Sequence, residues 1–256
     1  PAELEEALPG GAELVAFSLA CHETGELLAG VPELARRVHA AGALLHLDAA
    51  QAVGKIPVDV RELDCDFLSF SAHKLGGPKG VGALYIRSGV ELPPLIDGGG
   101  QQRGRRSGTL NVPGIAGFGV AARLADPAAF SACARDRFEK LLAASGLPFE
   151  LIAADRPRLP GTSLVALPGE DAGKLVDALS AAGVAASSGS ACSSRSSEPS
   201  RLLLDLGYPV LTAAGAVRFS FGAESSVAEA EEAAAILIRI IQATNRKGVV
   251  DVNAYR

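Results

Sequence analysis

The sequence predicts an α/β domain, built on a sheet that is at least partly parallel, followed by a smaller α+β domain. Two patterns carry that expectation. In the first half, short apolar runs bounded by turn residues alternate with helical periodicity, as strand–helix units do. From Asp126 the order becomes polar helix, two strands, helix, strand and long helix. The expected division is therefore residues 1–125 and 126–256. A length of 256 residues suits one large domain or two modest ones, and 48% hydrophobic residues exclude a disordered chain.

The elements follow in order. Glu13–Ala20 (ELVAFSLA) reads as a short buried strand between the Pro9-Gly10-Gly11 and Gly25 turns. Val31, Leu34, Ala35, Val38 and Ala41 recur at helical spacing, and Gly42 ends that helix. Ala43–Leu47, Asp66–Ala72 and Val81–Ile86 are three further strand-like runs. Beyond them come a helix over Pro127–Ser145, strands at Phe149–Ala153 and Ser163–Leu167, and a helix around Leu175, Val176 and Leu179. A strand over Val217–Phe221 and an amphipathic helix through Val227, Ala230, Ala234, Leu237 and Ile241 complete the set. The tail from Asn245 has no period and is expected to be loosely ordered.

Composition narrows the function classes. A net charge of −5 argues against nucleic acid as the main partner. No apolar run reaches the ~18 residues of a membrane span, and the opening residues carry no signal-peptide pattern, so the cytoplasm is the expected setting. Cys21, Cys65, Cys133 and Cys192 show no CxxC spacing and read as reduced thiols. The four histidines form no HxH or HxxxH pair, which leaves no zinc signature.

Ligands of an open α/β sheet bind at the carboxyl ends of its strands, and those ends here carry reactive types. Asp48 follows the second strand, with Gln51 one helical step on; His73 and Lys74 follow the third, with Ser71 on the same face as His73 if the strand's alternation persists. Taken singly, Asp48 reads as a helix cap and Lys74 before Gly76-Gly77-Pro78 as a surface turn. Taken together they meet the needs of pyridoxal phosphate: a lysine, an acid for the pyridine nitrogen, and donors for the phosphate. Rival signatures fail, since GxxxxGK[ST] is absent and Gly98-Gly99-Gly100 lacks the strand–GxGxxG–helix setting. Arg103, Arg105 and Arg106 read as a subunit-contact loop or an anion site. Ser187–Ser200 (SSGSACSSRSSEPS) has linker composition but holds a cysteine, Cys192, in a polar loop, where a thiol is open to reaction. Arg218 lies inside an apolar strand, either in a structural ion pair or as a clamp for a substrate carboxylate.

Five stretches, HLDAAQAVGKIPVDV (46–60), DFLSFSAHKLGGPKGVGALYIR (66–87), GGGQQRGRRSGTLNVPGIAGFGVA (98–121), SSGSACSSRSSEPS (187–200) and AVRFSFG (216–222), carry a resemblance. In them the chain resembles the cysteine desulfurases of the class V aminotransferase family. The resemblance implies the pyridoxal-phosphate-dependent transferase type I fold, with part of the large domain on a mainly parallel sheet and a smaller α+β C-terminal domain. It makes Lys74 the Schiff-base lysine and proton shuttle, Asp48 the partner of the pyridine nitrogen and Gln51 that of the ring hydroxyl. Ser71 and His73 hold the phosphate, and Thr109 reaches the phosphate of a second subunit, which implies a homodimer. Arg218 binds the carboxylate of L-cysteine, and Cys192 takes the substrate sulfur as a persulfide, leaving alanine.

The same resemblance implies an acceptor protein for that sulfur, an iron–sulfur scaffold or a thiolation enzyme. It departs from the family at His22, which stands in CHETG where the family has asparagine and can still donate a hydrogen bond to cofactor or substrate. It also implies an upstream stretch of the large domain, with a phosphate-cradling turn and a ring-stacking histidine, that this sequence does not contain. The competing readings are a class V aminotransferase or selenocysteine lyase on the same cofactor, and an inactive remnant kept for binding.

Overall fold

The computed structural model describes residue 8 and residues 11–188 and 198–248, the last four without their side chains. The chain forms two compact units: one takes the chain up to Cys21 and Leu27–Ala128, the other His22–Glu26 and the chain from Ala129 onward.

In the first unit, β1 (Leu14–Ser18), α1 (Val31–Ala40), β2 (Leu44–Asp48), the single turn α2 (Val60–Leu63), β3 (Phe67–Ser71), β4 (Gly82–Ile86) and α3 (Val112–Leu124) follow one another. The sheet order is β1-β2-β3-β4. β1 and β3 flank β2 in parallel, and β4 runs antiparallel to β3. Alternation sorts β2 cleanly: Leu45 and Leu47 are fully buried, while His46 and Asp48 take the other face. α1 buries Val31, Leu34, Ala35 and Val38 and packs on β2. Phe118 of α3 meets Phe70 of β3 edge-to-face, ring centroids 5.5 Å apart.

One expectation changes in this unit, and the partly parallel sheet takes a definite form. The Glu13–Ala20 run shortens to β1, whose residues alternate between exposed and half-buried, because among the described residues it has a strand on one side alone. The Val81–Ile86 run belongs to a sheet that is parallel over three strands and reversed at the fourth, since the turn between β3 and β4 is too short for a parallel crossover.

The amino end of β3 is held by a polar network. Asp66, 4% exposed, accepts from the Leu45 N–H at 2.7 Å and lies 2.8 Å from His39 Nε2; its other oxygen is 3.1 Å from Arg87 Nε. Arg87 also donates to Asp64 and to the Cys65 carbonyl. Removing the Asp66 carboxylate strands buried donors. Asp66→Ala is expected to cost about 2–3 kcal/mol in urea unfolding, and Asp66→Asn, which keeps an acceptor, distinctly less.

The second unit contains α4 (Cys133–Ala144), β5 (Glu150–Ile152), β6 (Thr162–Ala166), α5 (Ala172–Ala181), β7 (Ser187–Ser188), α6 (Arg201–Asp205), α7 (Val210–Ala214), β8 (Ala216–Ser220) and α8 (Val227–Gly248). Its sheet, β5-β6-β8-β7, is antiparallel throughout. One face, through Val165, Val217 and Phe219, packs with Phe138, Leu142, Leu175, Leu179, Leu237 and Ile241 of the long helices. The opposite face, through Leu164, Ala166 and Ala216, packs with Leu203 and Ala213 of α6 and α7. Arg158 forks onto Glu139 with two bonds of 2.9 and 3.2 Å, both side chains nearly buried.

Here the Pro127–Ser145 helix resolves into a 3-10 turn at Pro127–Ala129 and α4. The tail expected to loosen from Asn245 continues as helix to Gly248, and residues 249–256 lie outside the described residues. α8 opens on a reciprocal cap: the Glu229 carboxylate accepts from the Ser226 N–H at 2.7 Å, and Ser226 Oγ accepts from the Glu229 N–H. That bond to Ser226 holds the Glu229 carboxyl below its ordinary value. In the middle of β6, the fully buried Ser163 hydroxyl has no hydrogen-bond partner among the described residues. Ser163→Ala is therefore expected to leave stability unchanged or raise it by up to about 1 kcal/mol, read as an increased melting temperature.

Candidate active site

The first unit gathers its reactive side chains where β2 and β3 end. Asp48 is the last residue of β2 and lies in register with Ser69 of β3, so Ser71 stands two residues further along the neighbouring strand, on the same face as Ser69. Asp48 is exposed, with Oδ1 accepting from the Ala50 N–H at 2.9 Å; among the described residues Oδ2 has no partner. That bond closes a turn that the chain continues as successive tight turns to Gly54, which adopts φ +79°. Gln51 therefore sits in a turn, not on a helix, and its Oε1 accepts from Lys55 Nζ at 2.9 Å.

β3 stops at Ser71, and Ala72–Leu75 forms a 3-10 turn capped by Gly76 at φ +78°. The expectation that Ser71 and His73 share a face by strand alternation is corrected by this switch, because a turn of three residues replaces a period of two. The turn buries Ala72 and leaves His73 and Lys74 exposed, without hydrogen bonds or ion pairs among the described residues. A carboxylate, two hydroxyls, an imidazole and an amine thus stand on two adjacent strand ends.

Thr109 lies exposed in the loop between the 3-10 turn Gln102–Gly104 and α3. That loop is closed by its own bonds, Gly100 N–H to Ser107 Oγ at 3.3 Å and Gly108 N–H to Gln101 Oε1 at 3.0 Å. Gln102 and Arg103 both adopt positive φ. No described contact joins Thr109 to the Asp48–Lys74 group.

The second unit holds His22 and Arg218. Arg218, half-buried on β8, donates from Nη1 to the His22 carbonyl at 2.6 Å and has no carboxylate partner among the described residues. The His22 ring is exposed, 3.8 Å from Glu23. Cys192 lies outside the described residues. Cys21, Cys65 and Cys133 are free thiols, and burial pushes the Cys65 thiol above its ordinary value. Among the described residues no group of three His, Cys, Asp or Glu side chains can hold a metal ion.

Sequence reasoning passed over Glu23 and Ser200, which bond to each other in the second unit. The available signal was Ser200 ahead of the apolar run Leu202–Leu204, a helix start.

A sheet of this topology with these strand ends, beside an α+β unit, is the pyridoxal-phosphate-dependent transferase type I fold. The class-V aminotransferase profile matches residues 1–232, and the chain belongs to that family. It is 46% identical over 226 residues to a cysteine desulfurase of Gluconacetobacter diazotrophicus, covering 86% of this chain and 56% of that protein. Among solved structures it resembles a NifS-like protein from Rickettsia africae, with TM-score 0.83, 28% identity and coverage of 94% of this chain and 66% of the other. It also resembles SspA in complex with cysteine, with TM-score 0.71, 31% identity and coverage of 86% and 62%. The chain spans between 56% and 59% of the length of the first three curated relatives it matches.

Gly25 gives the second unit a sensitive point. It adopts φ +76°, and a Cβ built there would lie 2.7 Å from Thr162 Cβ. Gly25→Ala is expected to cost roughly 2–4 kcal/mol from the two strains combined, measurable as a lowered melting temperature.

Proposed function

We propose that the protein is a cysteine desulfurase that uses pyridoxal 5′-phosphate, converting L-cysteine to L-alanine and holding the sulfur as a persulfide on Cys192. The observation that carries the reading is the placing of Asp48 and Ser71-Ala72-His73-Lys74 on adjacent carboxyl ends of parallel strands, in a chain of the class-V aminotransferase family. The donor set fits the cofactor: among the described residues one Asp48 carboxylate oxygen has no partner and can serve a pyridinium, Ser71 and His73 are donors for a phosphate, and the Lys74 amine is unpaired. When bound, the cofactor supplies an electron-withdrawing ring that lowers the cost of negative charge at the substrate's α-carbon.

The chain's own residues supply the rest. Lys74 moves a proton at Cα, and Gln51, freed from Lys55, donates its amide to the ring hydroxyl. Arg218 takes the substrate carboxylate with the N–H groups not engaged by the His22 carbonyl, and the exposed His22 ring serves as a hydrogen-bond donor to cofactor or substrate. The Cys192 thiolate attacks the substrate sulfur; an S–S bond forms as the Cβ–S bond breaks, and Cβ takes up a proton.

The same reading makes the protein a homodimer in which Thr109 serves the second subunit. Exposed Val112, Val120 and Leu124, within one arc of α3, support an interface on that side of the unit. It hands the persulfide sulfur to an acceptor protein, an iron–sulfur scaffold or a thiolation enzyme. Three free cysteines support a reducing compartment, the cytoplasm, and no helix among the described residues is long and apolar enough to cross a membrane.

Cys192→Ala is expected to lower sulfide release from L-cysteine at least a hundredfold while the cofactor's absorbance band persists. Unchanged release would count against the persulfide on Cys192, and turnover with a keto-acid acceptor indifferent to that substitution would favour an aminotransferase.

A further inference from the structure

The reaction outlined above gives the buried Glu23 carboxylate no task. Glu23 has a side chain 8% exposed, and its Oε2 accepts from Ser200 Oγ at 2.6 Å, a bond between residues 177 positions apart. Ser200 Oγ in turn accepts from the Leu203 N–H at 3.2 Å, capping α6. With its proton and a lone pair both committed, the hydroxyl has one orientation.

The segment around Glu23 is tied down at further points. The Leu159 N–H donates to the Gly25 carbonyl at 2.8 Å, Glu26 pairs with Arg158 through a β-bridge, and the Glu26 N–H donates to Thr24 Oγ1 at 3.1 Å. One residue before Glu23, the His22 carbonyl receives the Arg218 guanidinium. Arg218 stands on β8 opposite Leu164 of β6 and Ser187 of β7, neither of which can pair its charge. A long arginine side chain loses its aim unless something holds the fork, and among the described residues that single carbonyl is what holds it.

We propose that Glu23 is a positioning residue for Arg218: anchored on Ser200, it fixes the His22 carbonyl that aims the guanidinium at a substrate carboxylate. The inference rests on Arg218 being the carboxylate clamp of the proposed reaction. A bond from a hydroxyl to a buried carboxylate is among the stronger neutral-to-charged contacts, and water is excluded from this one. Without it the Ser200 hydroxyl loses its acceptor, and besides the Arg218 bond itself segment 22–26 keeps its ties at Thr24, Gly25 and Glu26, on the far side of Glu23 from His22. A shift of about 1 Å in a positioning group is enough to change substrate affinity severalfold or more.

The test uses the full chain loaded with cofactor and steady-state turnover of L-cysteine in four variants: Glu23→Ala, Glu23→Gln, Arg218→Ala and the Glu23→Ala/Arg218→Ala double. Glu23→Ala is expected to raise KM about tenfold with kcat within about twofold. Glu23→Gln keeps an oxygen for Ser200 and is expected to return KM to within about twofold of the parent. With Arg218 already removed, losing Glu23 should add less than about twofold. A fall in kcat at constant KM, or independent losses in the double variant, would overturn the assignment.

Hydrogen exchange over residues 22–26 and 200–206, read without any turnover, separates this inference from the reading beneath it. Glu23→Ala should raise exchange in both stretches and Glu23→Gln should not; unchanged exchange refutes the tether whatever the kinetics. A parent protein that fails to turn over L-cysteine but shows the exchange change refutes the desulfurase reading and leaves the tether standing.

Discussion

The parallel pairing of β2 with β3 is the constraint on which the first unit's site depends. Parallel strands carry their carboxyl ends to one edge of the sheet, so whatever follows each strand is delivered to the same place. The pairing sets Asp48 against Ser69, and a slip of one residue would turn Asp48 inward and Leu47 outward. What forbids that slip is the apolar face: Leu45 and Leu47 are fully buried, and exposing them would cost about 2 kcal/mol each. The position of the Asp48 carboxylate is thus enforced by two leucines buried on the opposite face of the strand.

Polar cohesion and polar function lie at opposite ends of that sheet. Asp66, His39, Asp64 and Arg87 join at the amino end of β3, where the reversed β4 returns Arg87 to the start of its neighbour. The groups at that end are mutually paired; His73 and Lys74 at the other are exposed. In the second unit the division follows the two faces of the sheet. The face toward α4, α5 and α8 is a large apolar core, while the face bearing Leu164 and Arg218 carries a smaller one. A cation on a strand is tolerable on that thinner side, where a main-chain carbonyl satisfies part of its donor set.

Most strand bodies were legible because each is a short apolar run between turn residues, and the reactive types at their ends stood out against that background; β7 was not, since its two serines carry no apolar run and open a stretch of linker composition. The direction of β4 was not in the apolar pattern, which is the same forwards and backwards. The signal lay in the connection: residues 72–81 are too few for a crossover. α3 was hidden by Gly114, Gly117 and Gly119, which lower helix propensity, although Asn111 as N-cap and Pro113 in the first turn mark its start. The 3-10 turn after Ser71 overrode strand alternation because Gly76 supplies the left-handed residue that lets the chain close on Ala72. Nothing local announced Glu23 and Ser200; a contact between residues so distant in sequence leaves no period to read.

That 3-10 turn also acts as a counting device. Stacking every third residue sets Ala72 and Leu75 on one side, the first buried and the second half-buried, so His73 and Lys74 are both turned outward by arithmetic. Lengthening the stretch by one residue would rotate everything beyond it by about 120°, handing the lysine's position to its neighbour. The spacing between Ser71 and Gly76 thus decides which side chain stands at the strand's end as firmly as the residue types do.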